Sequence, residues 1–158
     1  MLRYEYEKGI GLIEVLVAVL VLATGLLGML ALQSMGLHSA SSSHQRSQAV
    51  TYANDILDRM RVNRDAAIAG EYTLAGVIVT APQDCTNAAA PCSTAELASA
   101  DLDEWTSNLD VALPGGRAWI SQVANTFTIQ VGWNDQRQDV AGLDCATGLP
   151  CITVVSDI

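Results

Sequence analysis

Four cysteines are the side chains of this chain best suited to covalent chemistry. They occur at positions 85, 92, 145 and 151, with no C-x-x-C pair among them. Closing a short loop costs the least entropy, so of the three possible connectivities we favour Cys85–Cys92 and Cys145–Cys151. A zinc site is the competing interpretation, but the spacings and the lack of a nearby histidine disfavour it. Disulfides would place this part of the chain in an oxidising compartment.

The other polar clusters predict neither an active site nor a metal site. His38 and His44 are six residues apart in a Ser-rich segment, off any shared helix face, so we expect both to be solvated. Asp101, Asp103 and Glu104 cluster where a helix start or its solvent face would accept acids. The chain has no Gly-rich phosphate loop, no serine nucleophile elbow, no H-E-x-x-H and no spaced calcium loop. We therefore expect no enzyme, no cofactor and no small-molecule substrate.

Length and charge narrow the class of protein. The chain has 158 residues, enough for one domain of ordinary size. Its 17 acidic and 8 basic residues give a formal charge of −9, which would repel phosphate backbones and disfavours nucleic-acid binding. Much of the aliphatic content lies at the N-terminal end, so the sequence predicts an apolar segment followed by a polar, acidic body.

The apolar segment is long enough to cross a membrane. Residues 10–32 contain a single charge, Glu14. As a helix this stretch would be roughly 34 Å long, against about 30 Å for a hydrocarbon core. It is longer than a secretory signal core, and no small-residue cleavage site follows it. Arg3 and Lys8 precede it and the next basic residue is Arg46, so the positive-inside rule places the N-terminus in the cytoplasm and the body in the periplasm.

Two local features argue against a plain signal anchor, which is the alternative interpretation. Lys8-Gly9 lies directly before the apolar run, so a peptidase could cut there and leave the helix intact. Glu14 is the fifth residue after that glycine, and an ionised carboxylate within a membrane helix usually has a partner. The new α-amino group of Ile10 on a neighbouring chain would lie at about the right depth to be that partner. Otherwise Glu14 merely reaches back to the interface.

The segment KGIGLIEV resembles the class III signal of type IV pilins and of type II secretion pseudopilins. The resemblance implies that a prepilin peptidase cleaves after Gly9 and methylates Ile10, and that Glu14 is the acid that guides subunit docking. Ile10 replaces the commoner Phe or Met of that family.

The chain after the apolar run predicts a second helical segment, residues 33–69. A stripe at helical spacing runs through Ala49, Ala53, Ile56 and Met60, with Val50 and Leu57 beside it. The opposite face carries Asp55 and Arg59, four residues apart and expected to form an exposed pair. Gly70 is a stop signal, so we expect one helix from the membrane segment to Ala69.

The last part of the chain, residues 70–158, predicts a small antiparallel sheet with one inserted helix. Residues 72–79 suggest a strand pair or a loop. Ser93 and Glu96 form a capping-box pattern that opens a helix to about Leu113, with an apolar face of Leu97, Leu102, Trp105 and Leu109. Alternating apolar residues predict strands at 117–123 and 127–133 around an Ala124-Asn125 turn, a further turn at Asn134-Asp135, and a short last strand at 151–155.

The predicted fold class is therefore α+β and pilin-like. The expected organisation is a leader at 1–9, a transmembrane and filament-core helix at 10–32, an amphipathic continuation at 33–69, and a periplasmic or extracellular globular part at 70–158.

A second resemblance is to the PilV family of type IV minor pilins, the pilus modification proteins. It rests on residues 25–28, 33, 45–46, 49, 53–63, 101–105, 113–116 and 127–133. This resemblance implies a low-abundance subunit that primes pilus assembly with other minor pilins and the major pilin. It further implies a position at or near the pilus tip with an adhesin, and a role in twitching motility and adhesion. The subunit would lie in the inner membrane first and in the surface pilus later.

Two other functions stay open at this stage. The I-type minor pseudopilin of type II secretion shares the leader and the helix pattern. A signal-anchored periplasmic binding module would need only the membrane helix.

Overall fold

The computed structural model describes residues 11–76, 79, 85, 91–134, 145 and 150–158. The predicted leader junction, Gly9 and Ile10, lies outside these residues, as do Val77, Ile78 and Asp135. Within the described ranges the elements are α1 (Leu12–Val62), α2 (Arg64–Ala69), β1 (Leu74–Ala75), α3 (Thr94–Ala112), β2 (Arg117–Val123), β3 (Thr126–Gly132) and β4 (Cys151–Asp157).

The chain divides into two compact units, Met1–Ser41 and Ser42–Ile158. In the first unit, the described residues belong almost entirely to α1, and their side chains are exposed. The second unit holds the hydrophobic core. The predicted α+β class is confirmed, since a long N-terminal helix packs on a small antiparallel sheet with a short helix beside it.

The stripe predicted on α1 is the side of the helix that enters the core. Ala49, Ala53, Ile56 and Met60 are completely buried, and Leu57 is 2% exposed. Small side chains at two of these positions let other elements come close to the helix backbone. The Trp105 indole of α3 uses this room, donating a hydrogen bond from Nε1 to the carbonyl oxygen of Tyr52 at 2.9 Å.

The prediction of one unbroken helix to Ala69 is wrong, because the helix is interrupted at Asn63. α1 ends at Val62, and α2 begins after Asn63, whose φ of −104° and ψ of 52° are not helical. The Asn63 side chain does not cap α2 and instead donates to groups outside both helices. The stop at Gly70 is confirmed: with φ at 89°, its N–H donates to the carbonyl of Ala67 at 3.0 Å.

The inserted helix begins as its capping box predicts. The Ser93 hydroxyl accepts from the Glu96 N–H at 3.3 Å, while the Ser93 N–H donates to the Glu96 carboxylate at 2.8 Å. Leu102, Trp105 and Leu109 are buried as expected. The predicted burial of Leu97 is wrong, because Leu97 is 38% exposed and the neighbouring Ala98 is buried in its place.

The sheet is an antiparallel meander in the order β1-β2-β3-β4. The turn predicted at Ala124-Asn125 is confirmed, with Ala124 at a φ of 53°. Phe127, Ile129 and Val131 of β3 are completely buried, as their period-two spacing predicts. β1 has only two residues, and β4 extends to Asp157, two residues past the predicted end.

Both pairs of near-neighbour cysteines are bridged. Cys85 pairs with Cys92 and Cys145 with Cys151, with Cα–Cα distances of 5.5 and 5.6 Å. Each bridge closes a short segment beside a regular element, α3 in one case and β4 in the other. The bridges therefore link Cys85 to the chain just before α3, and Cys145 to the first residue of β4.

Gly116→Ala should destabilise the globular unit, because an added Cβ would lie 2.8 Å from the carbonyl oxygen of Leu109 and 3.2 Å from that of Leu113. Both neighbours are backbone atoms, so the loop after α3 must move, at a cost of about 1–3 kcal/mol. Urea unfolding of the full chain in detergent, followed by tryptophan fluorescence, measures the change. The matched control is Gly36→Ala, where nothing lies within 4 Å of the added atom. Equal unfolding midpoints for the two variants would contradict this account.

Candidate functional site

The first candidate site is the N-terminal stretch of α1. From Leu12 to Leu37 its large apolar side chains are exposed on all sides of the helix, by 52% at Val15 to 81% at Leu12. This helix is long and apolar enough to cross a membrane, and none of the apolar window is buried within the chain. Apolar surface on this scale requires cover from lipid or from other helices.

Glu14 is the charged residue of this apolar stretch. It lies in the first turn of α1 and is exposed. It is the sole Asp, Glu, Lys or Arg between residues 11 and 45. The start of a helix favours a negative charge, which suits the position of this carboxylate. Among the described residues no ion pair involves Glu14.

The two histidines of α1 behave as the sequence predicts. His38 and His44 are both exposed on the helix. The part of the chain that the structure describes contains no group of His, Cys, Asp and Glu side chains that could hold a metal ion.

A second polar arrangement joins α1 to α3, and we call it the Arg59 junction. The Arg59 guanidinium contacts three carboxylates: Asp55 at 3.3 Å, Asp101 at 3.2 Å and Glu104 at 2.8 Å. The Arg59 side chain is only 24% exposed, and that of Asp101 only 16%. The Arg59 guanidinium on α1 therefore forms ion pairs with one carboxylate of its own helix and with two carboxylates of α3.

The junction continues inward through a tyrosine. The Tyr72 hydroxyl donates to Asp101 at 2.5 Å, a short hydrogen bond to a charged acceptor. Asn63 Nδ2 donates to the carbonyl oxygen of Thr94 at 2.7 Å and to the Tyr72 hydroxyl at 3.3 Å. Asn63 thus ties the end of α1 to the first residue of α3, which accounts for the break between α1 and α2.

The pKa shifts follow from these contacts. Burial of the Tyr72 phenol and its hydrogen bond to Asp101 raise the pKa of Tyr72 above its ordinary value. Burial acts to lower the pKa of Arg59, but its bond to Glu104 and the surrounding carboxylates outweigh burial and raise it. The same guanidinium holds the pKa of Glu104 below its usual range. The junction therefore keeps Arg59 charged and Tyr72 neutral at ordinary pH.

This junction corrects two sequence-based expectations. Asp55 and Arg59 are not merely an exposed pair, and Asp101 does not lie on a solvent face. The spacing indicates only that these residues border the buried stripe, since Arg59 directly precedes the buried Met60 and Asn63 lies one turn further; it does not indicate which residues they contact. Such boundary positions of an apolar stripe favour long polar side chains that reach a neighbouring element.

Residues 31–103 match the family model described as Type IV pilin Tt1218. The match supports a type IV pilin. It spans less than half of the 158 residues, but it includes the buried stripe of α1 and every residue of the Arg59 junction except Glu104. No curated protein and no solved structure matches the chain significantly. Type IV pilins are structural subunits, and a pilin of this kind accounts for the exposed apolar helix.

Asp101→Asn should destabilise the globular unit by about 1.5–3 kcal/mol, because a part-buried charged acceptor is lost to both Tyr72 and Arg59. Asp58→Asn is the matched control. The Asp58 side chain is 72% exposed, and within the described ranges it pairs with Arg61 alone, so its loss should change stability by less than about 0.5 kcal/mol. Urea unfolding of the detergent-solubilised chain gives both values, and similar costs for the two variants would show that the junction contributes nothing special.

Proposed function

We propose that this chain is a minor pilin of the type IV pilus, of the PilV kind. The observation that carries the proposal is the exposed apolar part of α1 with one acid in its first turn, together with the pilin family match. In this role the subunit primes pilus assembly with other minor pilins and lies at or near the tip, where it supports an adhesin, adhesion and twitching motility.

Processing is the first step. A prepilin peptidase cuts after Gly9 on the cytoplasmic face and methylates the new N-terminus at Ile10. Methylation leaves the amine protonated, so the mature chain starts with a positive charge. The subunit waits in the inner membrane as a single-pass protein, with its body in the periplasm. An oxidising periplasm agrees with the two disulfides of the body.

Assembly then exchanges lipid for other helices. An ionised carboxylate within a membrane helix costs up to about 2.5–3.5 kcal/mol, so Glu14 is poorly accommodated in the bilayer. In a helix bundle it can pair with the methylated amine of a neighbouring pilin. Attraction within such a pair is largely offset by desolvation. Glu14 therefore sets the register of the incoming subunit, while apolar packing supplies most of the affinity.

Two other functions account for part of the same features. An I-type minor pseudopilin of type II secretion would use the same leader and helix, and the chain length and four cysteines favour PilV over it. A signal-anchored periplasmic binding module would keep its first residues uncut. Mass spectrometry of the N-terminus separates the last class, because a pilin starts with N-methyl-isoleucine and an anchor starts with Met1.

Gly9→Leu should abolish cleavage, because a bulky side chain does not fit a peptidase site shaped for glycine. Immunoblots of cell envelopes should then show only the precursor. Gly36→Leu, the same change within α1, should give the mature band. A mature-size band from the Gly9 variant would refute the assigned junction.

Glu14→Ala should be processed and inserted normally, but its recovery in sheared pili should fall about tenfold, equivalent to about 1.4 kcal/mol of lost assembly free energy. Glu71→Ala removes an exposed carboxylate of the globular unit and is the control, expected at the wild-type level. Normal recovery of the Glu14 variant would remove the docking role from this residue.

A further inference from the structure

A groove of about 370 Å³ lies within the globular unit, between the last turns of α1 and the first turns of α3. We call it the α1–α3 groove. It is bordered by two aliphatic side chains, four charged ones and one amide: Val62, Leu97, Asp55, Asp58, Arg59, Asp101 and Asn63. Residues of the Arg59 junction thus form part of its lining.

The aliphatic side chains at the border of this groove are only partly used by the fold. Val62 is 87% exposed at the end of α1, and Leu97 is 38% exposed on α3. Leu102 and Leu109 of the same helix are 4% and 1% exposed. Val62 therefore gives the groove an apolar border that faces solvent, and Leu97 gives it a second border that is partly exposed.

The charge around the groove selects the kind of partner. Three aspartates and one arginine line it, an excess of two negative charges. Arg59 is already held by three carboxylates, so it does not neutralise the groove further. Asp58 is 72% exposed, and among the described residues its one ion-pair partner is Arg61 in the next turn, at 2.7 Å. Exposed pairs of this kind contribute little, so Asp58 is free to exchange Arg61 for an incoming cation.

We propose that the α1–α3 groove receives an arginine or lysine side chain, with an aliphatic residue next to it, from the globular unit of a different pilin. The long stem of such a side chain lies along Val62 and Leu97 while its charged end meets Asp55 and Asp58. A second copy of this chain is a poor occupant, since two chains with a formal charge of −9 each repel each other. The inference rests on the proposed pilin function and names the chemistry of the partner surface.

Site-specific photocross-linking in the pilus-producing host tests this inference directly. The full-length chain carries p-benzoylphenylalanine in place of Val62, and a matched control variant carries it in place of Val111, which is 90% exposed on α3 away from the groove. The groove variant should cross-link to a different pilin at a peptide with Lys or Arg within about one helical turn of the linked residue. A product linked to lipid, to a second copy or to an acidic peptide overturns the inference, as does the same product from position 111.

Charge and shape variants give an independent readout. Val62→Glu and Asp58→Lys should each lower recovery in sheared pili about tenfold. Val111→Glu and Glu71→Lys make the same chemical changes at exposed positions outside the groove and should be recovered at the wild-type level. Urea unfolding of the four variants should match the wild type, which separates a lost contact from a lost fold.

The outcomes distinguish this inference from the proposed function. If the wild-type chain enters pili and Val62→Glu does so equally well, the groove is not a pilin contact, and the minor-pilin proposal stands. If the wild-type chain is absent from sheared pili, the pilin proposal itself fails and the groove inference fails with it.

Discussion

The architecture of this molecule follows from how the apolar side chains of α1 are shielded from water, and two parts of the helix differ in this respect. Between Ala49 and Met60 the chain's own core buries one side of the helix completely. Between Leu12 and Leu37 the described chain offers no cover at all, on any side of the helix. Removing apolar surface from water is favourable by roughly 25 cal/mol for each Å², so the N-terminal stretch requires an apolar environment around it. A lipid bilayer and a bundle of like helices both provide such an environment, and the proposed pilin role would use both in turn.

The Arg59 junction gives the core its polar boundary. Without it, α3 would rest on α1 by apolar contacts and the single hydrogen bond from Trp105 to Tyr52, which fix distance better than they fix rotation. Arg59 and Asn63 hold α3 at two points about two turns apart on α3, the first through carboxylates and the second through the carbonyl of Thr94. Tyr72 connects the two points through Asp101. A part-buried network that satisfies its own donors and acceptors specifies one packing arrangement over its neighbours.

Local patterns in the sequence predicted most of the fold. The α1 stripe, the capping box at Ser93, the stop at Gly70 and the hairpin at Ala124 each depend on residues within a few positions of one another. The errors were of a different kind. Arg59 and Asp101 are 42 residues apart, so no local spacing reveals their pairing. Leu97 was placed on the buried face because it fits the periodicity, but a rotation of one position puts Ala98 there instead. The N-terminal cleavage site rests on the sequence pattern and the family resemblance alone, since Gly9 lies outside the described residues.

The position of one disulfide ties the shape of the groove to the redox state of its surroundings. Cys92, bridged to Cys85, is the residue directly before the helix cap Ser93. Four residues after that cap comes Leu97, one of the two aliphatic borders of the groove. Closing the bridge restricts where the chain can enter the helix, so the first turn is anchored on its N-terminal side by a covalent link. In a reducing compartment this covalent anchor would be absent, and the first turn of α3, which carries Leu97, would keep only its noncovalent contacts.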